Sequence, residues 1–193
     1  MKADGSGNLQ LVLNMSKSKT RLNSIMKMKT VNGHKVPDQT EISQKVADFE
    51  KDIKAAPGIS NVRTVLDFEN FMATFTCDFS SVNSLNTGIK NLAEKSKNKK
   101  PVENSFEYDL AGKTFSRLNK FLFKEEYDKM SNADKEIFAT ANYTNIFRFD
   151  TEVISASNKD SKIAANRKAV MLKLNALDII SNKKSIENKI KLK

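Results

Sequence analysis

Phe71-Met72-Ala73-Thr74-Phe75-Thr76-Cys77-Asp78-Phe79 decides the fold. Phe71, Ala73, Phe75, Cys77 and Phe79 alternate with Met72, Thr74, Thr76 and Asp78, the period of a strand with one covered face and one wet face. Val62 to Phe68 is also strand-like, and Glu69-Asn70 between the two runs has turn chemistry. Together they predict an antiparallel hairpin.

Upstream, Pro37-Asp38-Gln39-Thr40-Glu41 reads as a helix start, and Ile42, Val46, Phe49 and Ile53 give that helix one apolar face. Pro57-Gly58 stops it. Earlier still, the turn Asp4-Gly5-Ser6-Gly7 leads into Leu9, Leu11 and Leu13, which alternate as a strand. Asn14 or Ser16 is placed to cap a helix from Ser18 to Lys29 with Leu22, Ile25 and Met26, and Asn32-Gly33 marks a turn.

Downstream, Ser81 caps a helix carrying Val82, Leu85, Ile89 and Leu92, and a lysine-rich loop from Lys95 to Lys100 closes at Pro101. Phe106, Tyr108 and Leu110 form a strand, Ala111-Gly112 turns the chain, and Phe115 to Leu118 pairs back. Phe121 to Phe123 fits neither period. Lys124 to Ala141 is helical, divided at Ser131-Asn132-Ala133-Asp134. Phe147 to Ile154 reads as one strand, Ser157 to Asp160 as a loop or hairpin tip, and Ala169 to Leu174 as a buried strand. Leu177 to Ile180 is a short helical turn, and Ile186, Asn188, Ile190 and Leu192 give a faintly patterned last strand with a basic tail. The order lacks regular βαβ alternation. The expectation is one α+β domain over residues 1–193, a mostly antiparallel sheet with helices packed on one face.

The chain has 193 residues, enough to bury a core without staples. Its one cysteine, Cys77, excludes an internal disulfide, and one cysteine with one histidine, His34, leaves no conventional zinc site. His34 falls in a polar loop, and Cys77 lies on the apolar face of its strand, so both read as structural. Glu125-Glu126 and Asp67/Glu69 are solvated carboxylates without glycosidase context. Asp4-Gly5-Ser6-Gly7 lacks the Lys of a phosphate loop and precedes a strand rather than a helix. Asn158, Asp160 and Ser161 lack the spacing and closing glutamate of a calcium loop. No catalytic, cofactor or metal residue is assigned.

The balance of 33 basic and 23 acidic residues gives a net charge of +10. Three basic groups stand out: Lys17, Lys19, Arg21, Lys27 and Lys29; Lys95, Lys97, Lys99 and Lys100; and Lys183 and Lys184, followed by Lys189, Lys191 and Lys193. No acid occurs between Gly5 and Pro37. Sharing one face, these groups would attract phosphates or an anionic bilayer. Arginine, the residue of choice for phosphate and guanine, is scarce among the cations, which argues against nucleic acid. The many asparagines read as compositional bias.

Ala3-Asp4-Gly5-Ser6-Gly7-Asn8-Leu9-Gln10-Leu11-Val12-Leu13-Asn14-Met15 resembles the start of Bacteroidetes lipoproteins of unknown function and, more distantly, of LppM-like lipoproteins. In these a short strand after the lipidated cysteine enters a D-G-S-G hairpin, and a strand ending near a methionine follows. The resemblance implies an exported domain, periplasmic or surface-exposed, held at a membrane by a lipid upstream of this chain. It brings no catalytic residues. The turn at Asp4 has no preceding strand to close, and the expectation is a chain cut after an export signal. The resulting expectation is a non-enzymatic cell-envelope module with a binding or structural role, its partner an envelope protein or the membrane surface. The alternatives are a cytoplasmic polyanion-binding protein and a hydrolase with an unrecognised site.

Overall fold

The computed structural model describes residues 1–31, 33–95, 103–118 and 123–193. The expected lysine loop and the Phe121 ambiguity fall largely outside these residues. In chain order the elements are β1 (Gly7–Asn14), a 3-10 turn (Ser16–Ser18), α1 (Lys19–Met26), β2 (Thr30–Val31), β3 (His34–Lys35), α2 (Gln39–Lys54), β4 (Ile59–Asp67), β5 (Met72–Phe79), α3 (Val82–Lys95) and β6 (Phe106–Asp109). There follow β7 (Thr114–Arg117), α4 (Lys124–Asp128), α5 (Asn132–Ala139), β8 (Asn142–Arg148), β9 (Val153–Ala156), β10 (Lys162–Ile163), β11 (Ala169–Asn175), α6 (Ala176–Ile180) and β12 (Asn188–Leu192). The fold is α+β and every strand pairing is antiparallel. The strands do not form one sheet. They divide into β1-β5-β4, β10-β11-β8, β6-β7-β12-β9 and the β2-β3 hairpin.

The β4–β5 hairpin forms as its alternation dictates. Asp67 closes the turn, its carboxylate accepting from the Asn70 backbone N–H (2.9 Å) and side-chain amide (2.8 Å). Phe71 takes the positive φ (+52°) that brings the chain back. Helix α2 starts at Asp38 with a reciprocal capping box: Asp38 Oδ1 accepts from Glu41 N, and Glu41 Oε2 accepts from Asp38 N. It ends where Gly58, at φ +77°, turns into β4. Ile53, Val62, Phe75 and Cys77 form one core, with Phe49 meeting Phe75 edge to face at 5.1 Å. Such a ring pair adds about 1 kcal/mol beyond its buried area.

A second core surrounds β12. Ile190 and Val153 are 0 % exposed and pack with Phe115, Phe149, Val170 and Leu192. The sequence marked β12 as faint with a basic tail. It is instead held between β7 and β9, with Lys189 and Lys191 on its exposed face. A third cluster joins Leu172, Leu174, Ile179 and Ile186.

One further reading is corrected. Phe147 to Ile154 is not one strand: β8 ends at Arg148 and β9 begins at Val153, in different sheets. Phe149 lies between them, buried in the second core, and its alternating neighbours mimic a continuous strand. The turn at Asp4 is closed from within: Lys2 N donates to Ser6 O (2.7 Å), and Asp4 Oδ1 accepts from Ser6 N. It is tied to the second core by Tyr108 Oη, which donates to Ala3 O, and by Ala3 N, which donates to Asp150 Oδ2. Asparagines also hold the fold together. Buried Asn86 accepts from Ser105 N and Phe106 N and donates to Phe106 O, fastening α3 to β6. Asn158 and Asn188 tie the β9–β10 loop to the approach to β12 in the same manner.

Candidate functional site

In an antiparallel ladder, alternate residues direct both N–H and C=O to the same neighbour. Met15 N donates to Phe71 O (3.0 Å), and the β1–β5 register continues as Leu13↔Ala73, Leu11↔Phe75 and Leu9↔Cys77. The odd-numbered residues of β1 therefore bond to β5. The backbone groups of Asn8, Gln10, Val12 and Asn14 point away from the sheet. The same phase recurs on the other side of β5: Thr64, opposite Phe75, donates its N–H away from the sheet to Glu50. Among the described strands β1 pairs with β5 alone.

The side chains follow the pleat. Leu9, Leu11 and Leu13 lie on the face that carries Phe75 and Cys77. Helix α2 packs over the β4 side of that face, and Leu9 joins the core beneath it. Farther along β1, Leu11 is 60 % exposed and Leu13 53 %. Val12, on the opposite face, is exposed as well. The strand carries no charge, and neither do the residues from Gly5 to Ser16. Proteins normally blunt an edge with a charge, a proline, a bulge or a covering element. The outer side of β1 has none of these among the described residues.

The basic residues do not converge as one site. Lys17 lies in the 3-10 turn, Lys19 and Arg21 on α1, and Lys27 and Lys29 just beyond it. Lys19 Nζ bonds to Asn70 Oδ1 (3.3 Å), and Arg21 pairs with Asp134 (3.8 Å). Lys17, Lys27 and Lys29 are exposed. Lys183 and Lys184 follow α6, their backbone N–H groups both donating to Asp178 O, and Lys184 Nζ pairs with Asp160 (2.6 Å). Lys95 ends α3, and Lys97, Lys99 and Lys100 lie outside the described residues.

No family model, curated protein or solved structure matches the chain.

Among the depressions on the described surface are these two. One, of about 240 Å³, is lined by Lys124, Tyr127, Asp128, Leu177, Asp178 and Lys183 among others. Its Asp128 is occupied by Lys124 at 2.6 Å, and neither histidine nor cysteine lines it. The other, of about 370 Å³, is lined by Lys35, Pro37, Glu41, Gln44 and Lys45. There a hydrogen bond from Lys35 and the Asp38 backbone N–H hold the Glu41 carboxyl below its ordinary range, which serves the α2 cap. Cys77 is 2 % exposed, and burial pushes its thiol up to about 11. Such a thiol is a core atom rather than a nucleophile. His34 sits exposed on the β2–β3 hairpin. Among the described residues no group of three or more His, Cys, Asp or Glu side chains is placed to hold a metal ion. None of the described helices is long and apolar enough to cross a membrane.

Alternation in the sequence marks β1 as a strand but not its neighbours, so its open edge is not legible there. The one legible signal was the absence of charge between Asp4 and Lys17.

Proposed function

We propose that this chain is a non-enzymatic binding module, the ectodomain of an exported, lipid-tethered bacterial envelope protein, which engages its partner by strand addition to β1. One observation carries the reading: an eight-residue edge strand, uncharged and exposed, with its outward backbone groups open among the described residues. Strand addition draws affinity from such main-chain groups and specificity from alternate side chains. The stretch that resembles the lipoprotein start folds as a turn closed within itself and followed by this strand. The exposed Lys17, Lys27 and Lys29 suit an anionic membrane surface, where each adds up to about 1 kcal/mol.

The test is the native gene upstream of Lys2, with labelled-palmitate incorporation in the native host. The reading requires a signal peptide ending in a lipobox cysteine, and label in the mature protein. A start at Met1 without label overturns the tether. The polyanion alternative would then be measured by the salt dependence of nucleic-acid binding.

A further inference from the structure

We propose that the occupant of the β1 edge is β1 of a second copy of this chain, paired antiparallel about Leu11. This rests on the reading of β1 as the binding edge and names its partner.

Asn8-Leu9-Gln10-Leu11-Val12-Leu13-Asn14 reads almost the same in both directions, with only Gln10 and Val12 exchanged. Antiparallel pairing reverses one strand, so this strand complements itself. A two-fold axis through Leu11 sets Leu11 opposite Leu11 of the second copy, Leu9 opposite Leu13, Gln10 opposite Val12, and Asn8 opposite Asn14. The hydrogen-bond phase agrees. The outward backbone groups belong to Asn8, Gln10, Val12 and Asn14, so each of those pairs exchanges two N–H to O bonds. The leucines then fall on the closer, non-hydrogen-bonded positions, with Cα atoms roughly 4.5 Å apart. An axis through Leu9 or Leu13 would pair a shorter stretch. An axis through Gln10 or Val12 would set Leu11 across from Leu9 or Leu13 but leave one end of the strand unmatched.

Charge points the same way. At +10, two copies repel over most of their surfaces, but no charge lies between Asp4 and Lys17. The antiparallel register carries the turn holding Asp4 toward the 3-10 turn holding Lys17 of the second copy, at both ends. The product is a six-stranded sheet ordered β4-β5-β1-β1-β5-β4. Its outer edges are the guarded β4 strands, so the assembly closes as a dimer instead of growing.

Sedimentation velocity of the purified chain over a concentration series tests the association, with Val12→Pro and Leu11→Lys as variants. Proline at position 12 removes an outward N–H and leaves the β1–β5 ladder its bonds. Leu11→Lys sets two cations face to face at an exposed position. The expected result is a monomer–dimer equilibrium that either variant weakens at least tenfold while circular dichroism is unchanged. Leu11→Cys should also form an intermolecular disulfide under mild oxidation, and Leu13→Cys, whose opposite residue is Leu9, should do so far more slowly. A single monomeric species at every concentration overturns the proposal. So does equal association of wild type and Leu11→Lys, or equally fast crosslinking at positions 11 and 13. A photo-crosslinker at position 12, used in the native host, separates this failure from that of the module itself. Crosslinking to a different protein, with the purified chain monomeric, overturns self-pairing and leaves β1 as the binding edge. No crosslink to any protein removes both.

Discussion

β1 and β4 flank the same strand, β5, yet their outer sides are treated in opposite ways. Along β4 the register shifts between Ser60 and Arg63, with Asn61 at φ +49°, so the edge is bulged. Glu50 of α2 accepts the outward N–H of Thr64, and Arg63 adds a charge. Along β1 there is no bulge, no charge and no covering element among the described residues. A sheet protected on one side only is open to extension on the other. The contrast separates a guarded edge from an open one.

The largest expected effect tests the phase of β1. Leu11→Pro removes a bond to β5 and should cost about 2 kcal/mol, whereas Val12→Pro should cost under about 1 kcal/mol. Urea unfolding of the two variants measures the gap, and equal losses would break the assignment of inward and outward residues.

Gly58 leads into the guarded edge. A Cβ there would stand 2.2 Å from Ser80 Oγ and 2.4 Å from Ser84 Oγ, at a φ of +77°. Gly58→Ala should cost roughly 2 kcal/mol, seen as a lower urea midpoint. Glu50→Ala is expected to cost about 1.5 kcal/mol, because it strips the partner from the part-buried Thr64 N–H. It should also raise light scattering at high concentration by opening the second edge, and unchanged scattering would show that the bulge alone guards β4.

The smallest effect concerns Cys77, beneath the sheet. The folded state holds its proton up to about 11, against an ordinary value of 9.0. The thiol's contribution to stability is therefore constant below pH 9 and declines as pH rises from 9 toward 11. At pH 8 a thiol reagent should react only as fast as the chain unfolds. Rapid labelling of the native protein would show the covered part of the face to be open.

Local patterns carried much of the fold. Asp38 and Glu41 announced the α2 cap, and Asp67 through Phe79 announced the hairpin, because both rest on neighbours in sequence. Position within a sheet was not legible. Leu9 to Leu13 and Asn188 to Leu192 both alternate, yet Ile190 is sealed at 0 % exposure while Leu11 stands 60 % exposed. The difference lies in strands that arrive from elsewhere in the chain: β7 and β9 bracket β12, and among the described strands only β5 reaches β1. For the same reason the break after Arg148 was hidden, since buried Phe149 keeps the alternation going across a change of sheet. The anchoring asparagines were equally silent, because Asn86 finds its partners about twenty residues away. The basic groups were plain in the sequence, but Arg21 and Lys184 are engaged by Asp134 and Asp160, which no local motif links to them.

Amide hydrogen exchange along β1, followed from dilute to concentrated protein, tests the central claim most directly. In dilute solution Leu9, Leu11 and Leu13 should be protected, and Gln10 and Val12 should exchange freely. At high concentration Gln10 and Val12 should gain protection together. Protection of Gln10 and Val12 at every dilution would mean that the edge is already covered. Free exchange at every concentration would mean that a second copy does not occupy it.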